Sequence, residues 1–289
     1  MSYRCSPLAS PKRMLAAAVA AVSLAALAGA MLTTGAQAAT LPTVTATVSA
    51  TSITVSGALQ SGAVNVVSTA TAGKEPSLVL VKLKPGVSVA EAFALLDSNK
   101  LSQDPNTSSK IGAIVFDAEA GKGKPSEAQT VLASGQYIAV NPEGEKSAKW
   151  ARSSFAVADS PSPVALPAAQ ATEKTLEYAF KGPAVLHVGE VVRFENEGYL
   201  VHMDLGFAVK SRKAAQQVVK GLVSGHEKGL EKLVAGPPAN FAGPLSSGAF
   251  QQETITAKPG WYVQVCFMPT QDGRPHTRLG MERVIKIIK

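Results

Sequence analysis

Beyond its first forty residues, the chain alternates between hydrophobic and polar positions in short runs. The alternation is regular in TVTATV (43–48) and SITV (52–55), and looser in VNVV (64–67) and SLVLVKL (77–83). A period of two sends successive side chains to opposite faces of a strand. Short runs of this kind, bounded by Gly, Pro and Ser, are typical of β-sandwiches and barrels. We therefore predict an all-β fold.

A proline-rich stretch interrupts this pattern between the two halves of the chain. Residues 159–170, DSPSPVALPAAQ, contain three prolines among mostly small residues. Such a composition predicts an interdomain linker, which we place at 159–171. The prediction is one domain over residues 39–158 and a second over residues 172–289.

The two predicted domains contain the same elements in the same order. Helical segments at 87–97 and 213–233 follow similar β runs, and GQYIAVN (135–141) matches GWYVQVC (260–266). This order predicts a duplication, with tandem Greek-key β-sandwiches that each carry a short inserted helix. The register aligns Ser77 with His202 and Asn141 with Cys266. Residues 39–160 contain no His, Met or Cys, so the first copy is predicted to lack a metal site.

The N-terminal residues have the features of an export signal. Arg4, Lys12 and Arg13 precede an apolar run over residues 14–32, and Ala36-Gln-Ala38 fits a small-residue cleavage site. We predict a signal peptide at 1–38 and an exported protein, periplasmic or extracellular. The alternative is a membrane anchor, because the run is close to the roughly 20 residues that span a bilayer. No later segment predicts a membrane span.

Charge and cysteine content narrow the function classes. The formal net charge is +7, but the basic residues do not cluster with aromatic residues, so we predict no nucleic-acid partner. Removal of the signal leaves Cys266 as the only cysteine, which excludes an internal disulfide. Its thiol is then explained by metal binding, catalysis, intermolecular pairing or burial.

Four residues of the second domain together suggest a metal site. Nine residues separate Cys266 from His276, four more separate His276 from Met281, and His202 lies about sixty residues upstream. Two imidazoles, a thiolate and a weak thioether form the ligand set of a blue-copper electron-transfer site. Thiolate and thioether suit Cu(I), whereas imidazole accepts both oxidation states. Every methionine beyond the signal lies at or beside these residues: Met203, Met268 and Met281.

The second domain also resembles the cupredoxins. LHVG (186–189) and VVRFEN (191–196) match the strand that precedes the first ligand His in that family, and Tyr262 lies shortly before the Cys. The resemblance covers roughly residues 172–289. It implies one mononuclear copper ion held by His202, Cys266, His276 and Met281, and it makes the first domain a degenerate copy. The usual Cys-to-His loop has two to four residues; the type 1 domain of copper nitrite reductases has a similarly long one.

Cys266 and Met281 also have explanations that involve no metal ion. Cys266 can be a buried small hydrophobic residue and Met281 a core residue, in a metal-free secreted β-sandwich with a binding or envelope-structural role. His187 and His226 are predicted to lie on the surface.

The functional prediction is copper-based electron transfer or copper handling, with a redox partner protein. Four histidines in total are few for the centres of multicopper oxidases or nitrite reductases. No Ser-His-Asp arrangement, phosphate loop or carboxylate pair indicates another reaction. We therefore predict that the chain is not an enzyme.

Overall fold

The computed structural model describes residues 40–289, so the predicted export signal at 1–38 lies outside the described residues. Within them, Leu41–Lys289 form one compact unit. None of the helices in this part of the chain combines the length and the apolar character needed to cross a membrane.

The first half of this unit contains nine strands. Alternation is strict in the first of them, where every second side chain is buried, as the sequence pattern predicts. The strands are β1 (Thr43–Val48), β2 (Ile53–Gly57), β3 (Gly62–Ala70), β4 (Ser77–Leu83), β5 (Gly112–Glu119), β6 (Gly121–Lys122), β7 (Ser126–Leu132), β8 (Gly135–Asn141) and β9 (Ala151–Val157).

The second half also contains nine strands. They are β10 (Ala171–Leu176), β11 (Ala179–Lys181), β12 (Val185–His187), β13 (Val191–Asn196), β14 (His202–Val209), β15 (Ala239–Leu245), β16 (Phe250–Thr254), β17 (Gly260–Val265) and β18 (Glu282–Ile288).

The two halves have the same strand order. In the first, β2-β1-β3-β7 packs on β5-β4-β8-β9; in the second, the equivalent strands β11-β10-β13-β16 pack on β15-β14-β17-β18. The short strands β6, beside β3, and β12, beside β18, have no equivalent in the other half. Both contain a parallel pair at the same place, β1 with β3 and β10 with β13. This arrangement confirms the predicted all-β fold of tandem, cupredoxin-like Greek-key sandwiches.

Each half also carries the predicted inserted helix. In the first, α1 (Val89–Asp97) begins with a capping box between Ser88 and Glu91, and a short α2 (Lys100–Gln103) and a 3₁₀ turn (Pro105–Lys110) follow it. In the second, α3 (Arg212–Ser224) ends at Gly225, whose φ of +73° favours glycine. The helices cover the outer face of one sheet in each sandwich.

The two halves share a continuous sheet. Strand β7 pairs with β16 through Gln129 and Gln252, so nine strands from both halves form one sheet. Next to this pair, the side chain of Gln251 accepts from the N–H of Asp117 (3.0 Å) and donates to its carbonyl oxygen (2.9 Å). This shared sheet does not test where one predicted domain ends and the next begins. The domain limits 39–158 and 172–289 stay a prediction.

The strand pairing corrects one detail of the predicted duplication. Val140 pairs with Val79, and Val265 pairs with Leu205, so the alignments of Asn141 with Cys266 and of Ser77 with His202 cannot both hold. The first of them is kept here. The same register aligns Ser77 with Met203 and not with His202. Sequence comparison does not detect a one-residue offset here, because the runs around Ser77 and His202 alternate only loosely.

Hydrogen bonds support this corrected register. The backbone N–H of Met203 donates to Cys266 Sγ (3.4 Å), and that of Ser77 donates to Asn141 Oδ1 (3.1 Å). The hydroxyl groups of Tyr137 and Tyr262 each donate 2.8 Å bonds to the carbonyl oxygen four residues earlier. The two halves therefore repeat local contacts as well as topology.

Candidate metal centre

The four predicted ligands lie at one end of the second sandwich. His202 is the first residue of β14, Cys266 directly follows β17, and Met281 directly precedes β18. His276 begins a 3₁₀ turn, His276–Leu279, in the connection between the last two of these strands. Two strands thus present Cys266 and His202 side by side, and the loop between β17 and β18 supplies the other two residues.

Three ligand atoms converge in the protein interior. The Nδ1 atoms of His202 and His276 are 3.1 Å apart, and Cys266 Sγ lies 3.8 and 3.4 Å from them respectively. The three residues are at most 1% exposed. Within residues 40–289, no other group of three or more His, Cys, Asp or Glu side chains places its ligand atoms this closely.

These separations fit a single metal ion. With metal–nitrogen bonds of about 2.05 Å and a metal–sulfur bond of about 2.3 Å, they correspond to ligand–metal–ligand angles of roughly 100° to 120°. Such angles are typical of trigonal or tetrahedral coordination. The soft sulfur and the imidazole nitrogens are also the donor types that copper prefers.

Burial sets the protonation of the three groups. Desolvation lowers the pKa of His202 and that of His276 to about 4, so both imidazoles are neutral at pH 7, as metal binding requires. Desolvation raises the pKa of the Cys266 thiol to about 12, although backbone N–H groups of Met203 and Met268 favour the thiolate. A metal ion bound here would therefore displace the thiol proton.

Met281 lies in the same buried cluster. It is fully buried and packs with Cys266 and Phe180 in an apolar cluster. Its carbonyl oxygen accepts from the N–H of Cys266 (3.3 Å), and its N–H donates to the carbonyl oxygen of His276 (3.1 Å). The backbone thus ties Met281 to two of the other predicted ligands.

The long Cys266–His276 loop folds into a small hairpin. The N–H of His276 donates to the carbonyl oxygen of Met268 (2.9 Å), and the N–H of Thr270 donates to that of Arg274 (2.8 Å). The additional residues of the loop form a hairpin that extends toward solvent, and its two ends meet at Met268 and His276. His276 therefore still lies beside Cys266. The length of the loop is therefore compatible with a compact ligand set.

The turn between β10 and β11 covers this site, which the sequence did not predict. The ring of Tyr178 packs edge-on against His276, with centroids 5.2 Å apart. Tyr178 has a φ of +59°, an unusual conformation for a bulky residue. Its neighbour Glu177 places Oε1 4.0 Å from His202 Nε2. No local motif identifies these two residues as part of the site. They reach the predicted ligands only because the fold places the β10–β11 turn there.

The remaining two histidines lie on the surface, as predicted. His187 is exposed on β12, and His226 is exposed after α3, where its ring contacts the hydroxyl group of Ser224. Neither lies in the ligand cluster.

No protein-family model and no curated protein matches this chain. Solved structures do, at low identity. Auracyanin from Roseiflexus castenholzii is 20% identical, with 41% of this chain and 95% of that chain covered and a TM-score of 0.25. The Cu-containing nitrite reductase of Thermus scotoductus is 13% identical, with 86% and 68% covered and a TM-score of 0.24. A multicopper oxidase is 11% identical, with 85% and 88% covered and a TM-score of 0.24.

These matches correct one prediction. A nitrite reductase and an oxidase are enzymes, so the prediction that this chain is not an enzyme is contradicted. The histidine count argued only against centres with many imidazole ligands, and that argument does not extend to every reaction at a metal. Matches of this low identity and TM-score assign no activity to the chain.

Proposed function

We propose that His202, Cys266, His276 and Met281 bind one copper ion, and that the exported protein transfers electrons or handles copper. The observation that carries this proposal is the convergence of two Nδ1 atoms and one Sγ atom within 3.8 Å in a buried site. Two buried neutral imidazoles face a buried thiol here. Coordination of a soft metal ion by all three groups would explain this arrangement.

A copper ion held here would supply one-electron exchange between Cu(I) and Cu(II). The protein residues would hold the ligands in place and exclude water. Strands β14 and β17 fix His202 and Cys266, while backbone hydrogen bonds tie the loop that carries His276 and Met281. A rigid, apolar surrounding limits the rearrangement that accompanies each change of charge.

Export and partnership complete the proposal. The signal peptide predicted at 1–38 would deliver the protein to the periplasm or the exterior. Electron transfer there requires a redox partner protein, which would approach the end of the sandwich where the ligands lie. Tyr199, 89% exposed, lies in the loop just before His202 at this end.

The test is the absorption spectrum of the mature protein loaded with Cu(II). We expect a Cu–thiolate band at roughly 600 nm and its loss in Cys266→Ser. Because His226 lies outside the cluster, His226→Ala is a matched control that should keep the band. Failure of the wild-type protein to bind copper, or binding that Cys266→Ser leaves unchanged, would sink the proposal.

A metal-free sandwich is the second candidate. The first half folds into the same sandwich although residues 39–160 contain no His, Met or Cys, which favours this candidate. The two candidates differ in thermal stability. A copper-binding protein at a free copper concentration 100 times its Kd gains about 2.7 kcal/mol of stability, whereas the metal-free candidate gains none.

A further inference from the structure

One ring nitrogen of His202, the one that faces away from the other predicted ligands, has no hydrogen-bond partner. Its Nδ1 faces Cys266 and His276, while its Nε2 is buried and unpartnered. A neutral imidazole that binds a metal through Nδ1 carries its proton on Nε2. A buried N–H without an acceptor is destabilising, so the loaded site requires an acceptor at this nitrogen.

Glu177 is placed to supply that acceptor. Its Oε1 lies 4.0 Å from His202 Nε2, just beyond hydrogen-bond range. The same oxygen accepts from the backbone N–H groups of Tyr199 and Leu200, in the loop that leads to His202. The carboxylate is thus fixed by one loop and has lone pairs left for a further donor.

Gly198 leaves room for this contact. A Cβ atom at this position would lie 2.7 Å from Glu177 Oε1 and 2.8 Å from His202 Nε2, closer than real Cβ atoms come to other atoms. Both polar atoms therefore border the same glycine, and a side chain here would separate them.

We propose that Glu177 is a positioning residue for the copper ligand His202: its carboxylate accepts a hydrogen bond from Nε2–H, orients the ring and increases electron donation by the imidazole. This inference rests on the proposed copper site. Carboxylate partners of this kind typically change metal affinity 10- to 100-fold. Because a more basic imidazole favours Cu(II) over Cu(I), the carboxylate would also lower the reduction potential of the site.

The test compares Glu177→Gln with Glu197→Gln, measuring the Cu(II) dissociation constant by chelator competition and the midpoint potential by redox titration. Glu197→Gln removes the same charge nearby, from an exposed residue paired with Lys174. We expect Glu177→Gln to raise the dissociation constant roughly tenfold or more and to make the potential more positive. Glu197→Gln should change the dissociation constant less than about twofold, in line with the small contribution of exposed ion pairs.

A second variant and a spectroscopic readout separate positioning from general damage. Gly198→Ala keeps the carboxylate charge but forces the two groups apart, and it should shift affinity and potential in the same direction. In Cu(I)-loaded wild-type protein, the His202 Nε2 proton should give a protected NMR resonance that both variants lose. Wild-type protein that binds copper with a thiolate band, but variants that match it in affinity and potential, would overturn the role of Glu177. Wild-type protein that binds no copper would instead refute the proposed function.

Discussion

The backbone N–H of Val201 donates a 2.7 Å hydrogen bond to the side-chain oxygen of Asn106, which belongs to the first half. Val201 directly precedes His202 and packs, together with Met268, into the apolar cluster beneath α1. Asn106 is itself held by two 2.9 Å hydrogen bonds to Asp104. The first half thus contacts the residue next to one predicted ligand. It therefore helps to hold the backbone at His202 in place.

Replacement of Asn106 tests this support. Asn106→Ala leaves a buried N–H unpaired, and we expect a loss of about 1–3 kcal/mol in unfolding free energy, together with a changed Cu–thiolate band. Urea unfolding and absorption spectra measure the two effects. Asn65→Ala, which removes an exposed 3.2 Å hydrogen bond to Glu127, should change neither. An unaltered band in Asn106→Ala would show that the contact stabilises the fold without shaping the site.

Tyr178 should control access to the metal. Because its ring covers His276, Tyr178→Ala should open the site and speed copper removal by a chelator, by about tenfold or more if water and chelator now reach the ion. Tyr178→Phe keeps the ring and should behave like the wild type. Stopped-flow loss of the thiolate band provides the measurement. Equal rates in all three proteins would mean that copper leaves by another route.

The hairpin within the Cys266–His276 loop should be dispensable. Because the chain returns at Met268 and His276, replacing residues 270–274 by a two-residue Asn-Gly turn should preserve the thiolate band and keep copper affinity within about threefold, a free-energy change below 1 kcal/mol. Loss of the band would show that the excursion itself positions His276.

Glu253 should make stability dependent on pH. Burial raises its pKa to about 8, with a smaller opposing effect from the hydrogen bond of Gln251. The unfolded chain ionises this group near pH 4.5, so its contribution is present below pH 4.5 and lost as pH rises to about 8. The loss amounts to at most a few kcal/mol.

The measurement is the unfolding free energy of metal-free protein at pH 5 and pH 8. Glu253→Gln should lose less stability between these values than the wild type. Glu145→Gln, on an exposed loop, is the control and should keep the wild-type slope. Identical slopes for Glu253→Gln and the wild type would contradict the raised pKa.

The sequence predicted the parts of this molecule that repeat or alternate. Period-two runs marked β1 to β4, and the match between residues 135–141 and 260–266 marked the duplication. Cys266 and Met281 could be selected because their residue types are rare in this chain. Glu177, Tyr178 and Asn106 could not, since no motif marks them and they reach the site only through strand order and loop packing.

The pairing of β7 with β16 is a contact between equivalent strands, one from each copy. Two identical single-domain chains could make the same antiparallel edge contact across a two-fold axis, as in an isologous dimer. In such a dimer the contact would depend on protein concentration; within one chain it does not. Covalent linkage also leaves each copy free to diverge, so one can lose its ligands while it still protects the sheet edge of the other.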